Sequence, residues 1–328
     1  MSTAPKPVIV VSAPIHERGI ELLRPAFEVR EVHHGVATEA EMAEALADAD
    51  AMVLRSVPLP GALLRRCPKL KVIAKHGAGL DSVDLETATE LGIVVATSGN
   101  ANSTSVAEHA LTLMLAVLRR VPELDAAVRA GGYRERERMT AFPDLFGATV
   151  GIVGYGNIGR DVAQLLTGFR CTVLAYDPVQ AETPGAEKVE LDELLARSDI
   201  VTLHLPLTEG TRHLIGAAEL ERMKPGAILI NTSRGGTVDE GALTKALATA
   251  TIRAAGLDVF EQEPPDVSAP LFAAPNVVLS PHCGGGTELA RVRSAVEAAE
   301  AALAVLRGER PRYLFNPEVL GHARAELS

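Results

Sequence analysis

The chain has 328 residues, long for one compact core and comfortable for two domains of roughly 100–200 residues each. Hydrophobic residues make up 47% and charged residues 23%, a folded globular composition, while aromatics are 3% with no Trp, so platforms for stacking bases are scarce. A formal net charge of −10 disfavours binding along a phosphate backbone, which needs a clustered basic face, yet leaves room for a local basic pocket holding a small anion.

Val8–Val11 reads as a short buried strand, with a helix from Pro14 to Leu23 after it. Strands follow at Ala51–Leu54 and Val72–Ala74, then a helix at Val83–Leu91 and a strand at Val94–Ala96. Strands alternating with helices imply a parallel sheet covered on both faces. From Ser105 an apolar segment runs to Val121; Ser105 with Glu108 three residues on has the form of a capping box, and Pro122 follows the end. This predicts one long helix joining two domains. The arginine-dense stretch after it (Arg129, Arg134, Arg136, Arg138) is either a solvated surface segment or an arm that reaches a partner subunit.

A second series then begins: strand Ala148–Val153, helix Asn157–Leu166, strand Thr172–Tyr176, and strands at Ile200–Leu205, Ala227–Asn231, Ile252–Leu257 and Val277–Ser280. Helices are predicted at Leu191–Arg197, Glu240–Ala248 and Glu288–Leu306, the last long enough to return to the first domain. There is no internal repeat and no low-complexity segment. Cys67, Cys171 and Cys283 form neither a CxxC pair nor an even framework, which predicts reduced thiols in the cytoplasm and no metal site. The first apolar run spans four residues before Ser12, too short for a signal-peptide core, and no stretch approaches the ~18 apolar residues of a membrane span.

Gly154-Tyr155-Gly156-Asn157-Ile158-Gly159 is a GxGxxG turn between a strand and a helix. In that context Gly154 permits the tight turn, Gly156 lets the backbone approach a pyrophosphate, and Gly159 lets helix and strand pack closely. The free N–H groups of the following helix face the phosphates. Asp177 ends the next strand, where a carboxylate hydrogen-bonds a ribose 2′-hydroxyl and repels a 2′-phosphate, so the expected cofactor is NAD.

Three later strand ends carry polar candidates, where open α/β sheets bind ligands. They are Arg234 in Asn231-Thr232-Ser233-Arg234-Gly235-Gly236, Glu263 in the loop after Asp258, and His282 in Ser280-Pro281-His282-Cys283-Gly284-Gly285-Gly286. Reducing a 2-keto acid needs hydride at carbon and a proton at oxygen. Histidine suits the proton, a neighbouring carboxylate favours imidazolium, and arginine suits a carboxylate and charge developing on oxygen. Gly284 belongs to the glycines after His282 that leave room for a ligand.

The ordered set GYGNIG, His204-Leu205-Pro206, NTSRG, GLDVFEQEP and SPHCGG resembles the D-isomer-specific 2-hydroxyacid dehydrogenase family over nearly the whole chain. The resemblance implies that Arg234 binds substrate, Glu263 orients His282 and raises its pKa, and His282 donates and accepts the proton. It also implies that Asp258 and the backbone around His204, Pro206 and Thr232 line the nicotinamide side. The chain departs from the family at Cys283 and Gly286, where an aliphatic residue and then Ser or Ala are more common.

His76-Gly77-Ala78-Gly79-Leu80-Asp81 resembles the family loop whose N–H groups cradle the substrate carboxylate. In the phosphoglycerate dehydrogenases that the chain resembles, basic residues at the places of Arg55 and Lys75 face a distal phosphate. The resemblance therefore implies two Rossmann-like, doubly wound parallel-sheet domains of the formate/glycerate dehydrogenase type: a discontinuous substrate domain (1–104 and 293–328) and an NAD domain (105–292). It further implies closure of an interdomain cleft and a homodimer built on the Ser105–Val121 helix and the arm. The substrate is expected to be a small anionic 2-hydroxy or 2-keto acid, with no nucleic-acid or membrane partner. A glyoxylate/hydroxypyruvate reductase and an NAD-sensing corepressor are the alternatives, and no serine-regulatory extension is expected.

Overall fold

The computed structural model describes residues 5–32, 39–55, 57–134, 141–274 and 276–327. The chain divides into two compact units, one of residues up to Asn102 together with those from Gly286 onward, the other Ser103–Gly285.

The first unit runs β1 (Val8–Val11), α1 (Glu17–Leu23), β2 (Glu28–Glu31), α2 (Glu39–Leu46), β3 (Ala51–Leu54), α3 (Gly61–Leu64), β4 (Val72–Lys75), α4 (Leu85–Glu90) and β5 (Val94–Ala96). Its sheet has the order β2-β1-β3-β4-β5, every pair parallel. The central strands are buried on both sides because neighbouring side chains point oppositely. Val8, Val10, Met52, Leu54 and Ile73 pack with Met42, Leu46, Leu63 and Leu64 on one face. Ile9, Val11, Val53, Val72 and Ala74 pack with Ile20 and Leu23 on the other. β2 escaped prediction because Glu-Val-Arg-Glu has no apolar run; it is a half-exposed edge strand. α1 starts at Glu17, not near Pro14, since extended His16 caps it through Nδ1 from Arg18 N at 3.2 Å. α4 likewise starts after Asp84, whose carboxylate accepts from Thr87 N.

The second unit continues with α5 (Ser103–Arg119), α6 (Val121–Arg129), β6 (Thr149–Val153), α7 (Asn157–Leu166), β7 (Thr172–Tyr176), β8 (Glu187–Lys188), α8 (Leu191–Arg197), β9 (Ile200–Leu203), α9 (Ala217–Arg222), β10 (Ile228–Asn231), α10 (Glu240–Ala248), β11 (Ala254–Leu257) and β12 (Val277–Leu279). The sheet order β8-β7-β6-β9-β10-β11-β12 reverses direction between β6 and β9, the switch point at which such sheets bind dinucleotides. α5 and α7 cover one face through Ala107, Ala110, Met114, Val162 and Leu166. α8, α9 and α10 cover the other through Leu194, Leu195, Leu220, Leu243 and Leu247.

The long helix expected at Ser105–Val121 is α5, with both bounds two residues earlier. α5 begins at Ser103, so Ser105 lies inside its first turn and not at the N-cap position. It ends at Arg120, which takes a left-handed conformation (φ 51°), and Pro122 sits in the first turn of α6, where a missing N–H is harmless. α6 has no buried residue, and Arg129 there pairs with Asp125 one turn earlier. Arg134 is described; Arg136 and Arg138 lie outside the described residues. The chain then forms α11 (Glu288–Leu306), which packs along α1, β3 and β4 of the first unit, burying Ala298, Ala299 and Ala302. Among the described residues no helix is long and apolar enough to cross a membrane.

Candidate active site

At the switch point the Gly154 backbone has φ +93°, and a Cβ there would lie 2.5 Å from the His204 carbonyl oxygen. Only glycine therefore fits the turn between the ends of β6 and β9. In front of Gly156 a Cβ would meet nothing within 4 Å, so the backbone there is open to a ligand. No side chain caps α7, leaving its first N–H groups available to an anion. Asp177, 9% exposed, accepts from Tyr155 N at 2.7 Å, Val179 N at 2.8 Å and Gln180 N at 3.0 Å. Burial works against its charge, but those N–H donors and Lys188 hold the carboxyl below its ordinary range. An ionised carboxylate has about four acceptor positions, so one remains for a ribose hydroxyl. These features fit a dinucleotide. Gly154, Gly156, Asn157, Ile158, Gly159 and Asp177 would hold its pyrophosphate and ribose.

His204 turns its side chain inward, Nε2 at 2.9 Å from Thr202 Oγ1 and Nδ1 at 3.4 Å from Thr232 Oγ1. Burial drives its pKa down to about 3, so the ring is neutral. The Pro206 carbonyl accepts from Thr211 Oγ1.

Arg234, Glu263 and His282 converge in the second unit. Asn231, closing β10, shapes the turn that presents Arg234: its Nδ2 donates to the Arg234 carbonyl at 3.0 Å while its Oδ1 accepts from Ser233 N and Oγ. Thr237 Oγ1 adds a second donor to that carbonyl at 2.7 Å. Gly235 then touches the next loop directly, since a Cβ on it would lie 1.8 Å from the Phe260 carbonyl carbon. That loop carries Glu263, whose Oε1 accepts from Phe260 N and whose Oε2 is 2.7 Å from His282 Nδ1. The Glu263 hydrogen bond raises the His282 pKa against burial and the Arg234 charge. Burial would raise the Glu263 carboxyl, but His282 and Arg234 prevail and hold it low. The carboxylate is thus the acceptor and Nδ1–H the donor, which leaves Nε2 for proton exchange. Beside the pair lies a cavity of about 390 Å³ walled by Phe260, Pro265, Phe272, Leu279 and Pro281.

Asp258, 2% exposed, holds the other side of the His282 turn. Its carbonyl accepts from His282 N at 2.7 Å, and its carboxylate accepts from Cys283 N, Gly284 N and Ser280 Oγ at 2.9, 2.8 and 2.6 Å. His109 Nε2, from α5, stands 2.8 Å from Ser280 Oγ and 3.2 Å from Asp258 Oδ1. Burial opposes the Asp258 charge, but these donors hold its carboxyl far below the usual range. They also fix His282 in a left-handed conformation (φ 51°), which costs a non-glycine residue about 1–3 kcal/mol. Gly284 is therefore engaged through its N–H by Asp258.

In the first unit, Arg55 ends β3; its backbone N–H donates to Ser12 Oγ and its Nη1 to the Pro14 carbonyl. Lys75 is 8% exposed, with Nζ on the Arg55 carbonyl. Burial and the nearby Arg291 charge lower the Arg55 pKa. His76 is neutral, pushed to about 4 by burial, Arg55 and Lys75. The expected N–H cradle is narrower than the sequence implies. Gly77 N donates to Ser98 Oγ at 3.2 Å, whereas the N–H groups of Ala78 and Gly79 have no acceptor among the described residues.

The sequence reading gave no supporting role to Asn231, Gly235 and Ser280, which stand inside the motifs around Arg234 and His282, or to Thr237, His109 and Ser98. Only the Gly-Gly after Arg234 and the polar run at the end of β10 hinted at them.

Residues 111–284 match the family described as D-isomer specific 2-hydroxyacid dehydrogenase, NAD binding domain. A D-3-phosphoglycerate dehydrogenase of Methanocaldococcus jannaschii is 41% identical over 314 residues, 94% of this chain and 59% of that protein, so the chain spans little more than half of that relative. A glyoxylate reductase of Korarchaeum cryptofilum is 40% identical over 324 residues, 96% of this chain and 97% of that protein. The solved NADPH-dependent glyoxylate/hydroxypyruvate reductase of Sinorhizobium meliloti, in complex with NADP and malonate, superposes with a TM-score of 0.86 at 31% identity, covering 96% of this chain and 98% of that one. The chain therefore belongs to the D-isomer specific 2-hydroxyacid dehydrogenase family, and the unit Ser103–Gly285 carries that family's NAD-binding domain.

Proposed function

We propose that the protein is an NAD-dependent D-2-hydroxyacid dehydrogenase whose substrate is a small 2-keto or 2-hydroxy acid bearing a second anionic group. The observation that carries the reaction class is the Glu263–His282 hydrogen bond of 2.7 Å with Arg234 on the adjoining loop. NADH held by the Gly154–Gly159 turn and Asp177 would supply the hydride for C2 of the keto acid. Protonated His282 then gives the Nε2 proton to the carbonyl oxygen, and neutral His282 takes it back in the oxidative direction. Glu263 stabilises the imidazolium, and Arg234 binds the substrate carboxylate and the negative charge growing on oxygen. The Asp177 carboxylate supports NAD over NADP, because a 2′-phosphate beside it meets like charge.

In the first unit, Arg55 and Lys75 place positive charge at the ends of β3 and β4, and the Ala78 and Gly79 N–H groups suit a carboxylate. These support recognition of the second anionic group, with the first unit as the substrate domain. The three unpaired cysteines support a reducing, cytosolic location. The homodimer expected on the Ser105–Val121 helix and the segment after it belongs to this reading, and Val121 and Val128 are exposed there. A glyoxylate/hydroxypyruvate reductase is the second reading, favoured by the near-complete length match to a glyoxylate reductase.

Initial rates of NADH and NADPH oxidation with hydroxypyruvate, 3-phosphohydroxypyruvate, glyoxylate, pyruvate and a sulfonated keto acid separate the readings. The phosphorylated or sulfonated member is expected to lead in kcat/KM by about 100-fold, a factor equal to about 2.7 kcal/mol, and Arg55→Ala to remove most of that lead. If glyoxylate or hydroxypyruvate leads and Arg55→Ala changes nothing, the reductase reading replaces this one. NADH binding without turnover of any member would favour a nucleotide-sensing role.

A further inference from the structure

We propose that His109, Asp258 and Cys283 form a binding site for a thiophilic divalent cation, zinc above all, and that filling it arrests turnover. The binding half stands on geometry alone. The arrest half rests on the dehydrogenase reading.

One nitrogen of His109, one carboxylate oxygen of Asp258 and the Cys283 sulfur all lie within 4.8 Å of one another. They come from α5, the end of β11 and the loop after β12, so no local ligand spacing marks them in the sequence. Imidazole, carboxylate and thiolate together are a donor set that zinc accepts, and three protein donors leave the fourth tetrahedral position to water. With metal–ligand bonds of about 2.0–2.3 Å, tetrahedral donors sit about 3.3–3.8 Å apart, so closing the site requires about 1 Å of movement. Cys283 is exposed, so its side chain has room to rotate toward the other two donors and offers the ion an entry path from solvent.

Acceptor capacity is also present. Asp258 Oδ1 accepts from Ser280 Oγ and Cys283 N, while Oδ2 accepts from Gly284 N. A carboxylate oxygen has two lone pairs, so Oδ2 retains one for a metal. The carboxylate and a thiolate together neutralise a divalent charge. The consequence for catalysis follows from the second job of Asp258. Its carbonyl holds His282 N and its carboxylate holds the next two N–H groups, so a metal pulling on Asp258 and Cys283 together moves the turn that sets His282.

The test uses the metal-free full chain, titrated with Zn²⁺ by calorimetry and with Co²⁺ by absorption. The expected result is one ion per chain and a thiolate-to-cobalt charge-transfer band in the near ultraviolet. Zinc is expected to lower kcat in a way that a chelator reverses. Cys283→Ala should keep the metal-free kcat, lose the charge-transfer band and weaken zinc inhibition by about 100-fold. No such band in the parent protein, or a band that persists in Cys283→Ala, overturns the site. Cys283-dependent zinc binding with unchanged kcat overturns the arrest. A protein inactive on every keto acid would sink the dehydrogenase reading, yet the cobalt band would still decide the site.

Discussion

Replacing His282 with glutamine is expected to lower kcat for keto-acid reduction by about 10²–10⁴-fold, with NADH affinity little changed. The side chain is half-exposed, its Nδ1 is committed to Glu263, and Nε2 is the atom left to exchange a proton. Glutamine keeps a polar group at a similar reach but cannot carry an acidic proton. The companion substitution Glu263→Gln reads the same geometry through pH. The Glu263 hydrogen bond raises the His282 pKa, so removing the carboxylate lowers it, while burial and Arg234 continue to favour the neutral ring. Reduction requires the protonated imidazole, and its alkaline limb should move to lower pH. Oxidation requires the neutral imidazole, and its acid limb should move the same way, leaving a larger share of activity at low pH. Profiles of kcat/KM in both directions check this. Unshifted limbs would mean that His282 is not the titrating group.

Gly235→Ala is expected to lower kcat/KM by about 100-fold or more, because misplacing a reacting group by about 1 Å costs that much. A methyl group there would lie 1.8 Å from the Phe260 carbonyl carbon, 2.0 Å from its oxygen and 2.3 Å from Glu261 N. Backbone cannot rotate away as a side chain can. The Phe260–Glu263 loop must move off the Arg234 turn, which Asn231 and Thr237 hold in place. Overpacking of this kind also destabilises by roughly 1–3 kcal/mol, so Tm should fall together with activity. NADH binding should persist within a few-fold, since the glycine turn after β6 is not touched. Gly236→Ala is the matched control: its methyl group would meet Leu207 Cδ2 at 3.1 Å, the end of a flexible side chain, and most activity should remain. Wild-type kinetics for Gly235→Ala would show that the contact between the two loops does not set the catalytic spacing.

Much of this geometry was legible because it is local in sequence. The Gly154–Gly159 turn announces itself by a strand before and a helix after, and the four-residue apolar strands appear where their uniform burial places them. Arg234 and His282 follow strand ends and Glu263 lies in the loop after β11, where an open sheet gathers its ligands. Edges and caps were harder to read. β2 carries charge because it lies at the edge, and α5 breaks at Arg120 through a left-handed backbone that the apolar pattern crosses without interruption. The supports of the site were hardest. His109 meets Ser280 across 171 residues of sequence, and Ser98 takes the Gly77 N–H across 21. Such partners are set by how helices and strand ends meet in the fold, and no spacing rule in the chain encodes them.

Isotopic labelling follows the hydride itself. The protein is incubated with NADH carrying deuterium at the transferred position and with the fastest keto acid of the panel whose product has a stereocentre at C2 (any but glyoxylate), and the product is analysed by mass and by chiral separation. The expected product is a D-2-hydroxy acid with one deuterium at C2, formed by the parent protein and nearly absent with His282→Gln. A product of L configuration, or one without deuterium at C2, would contradict it.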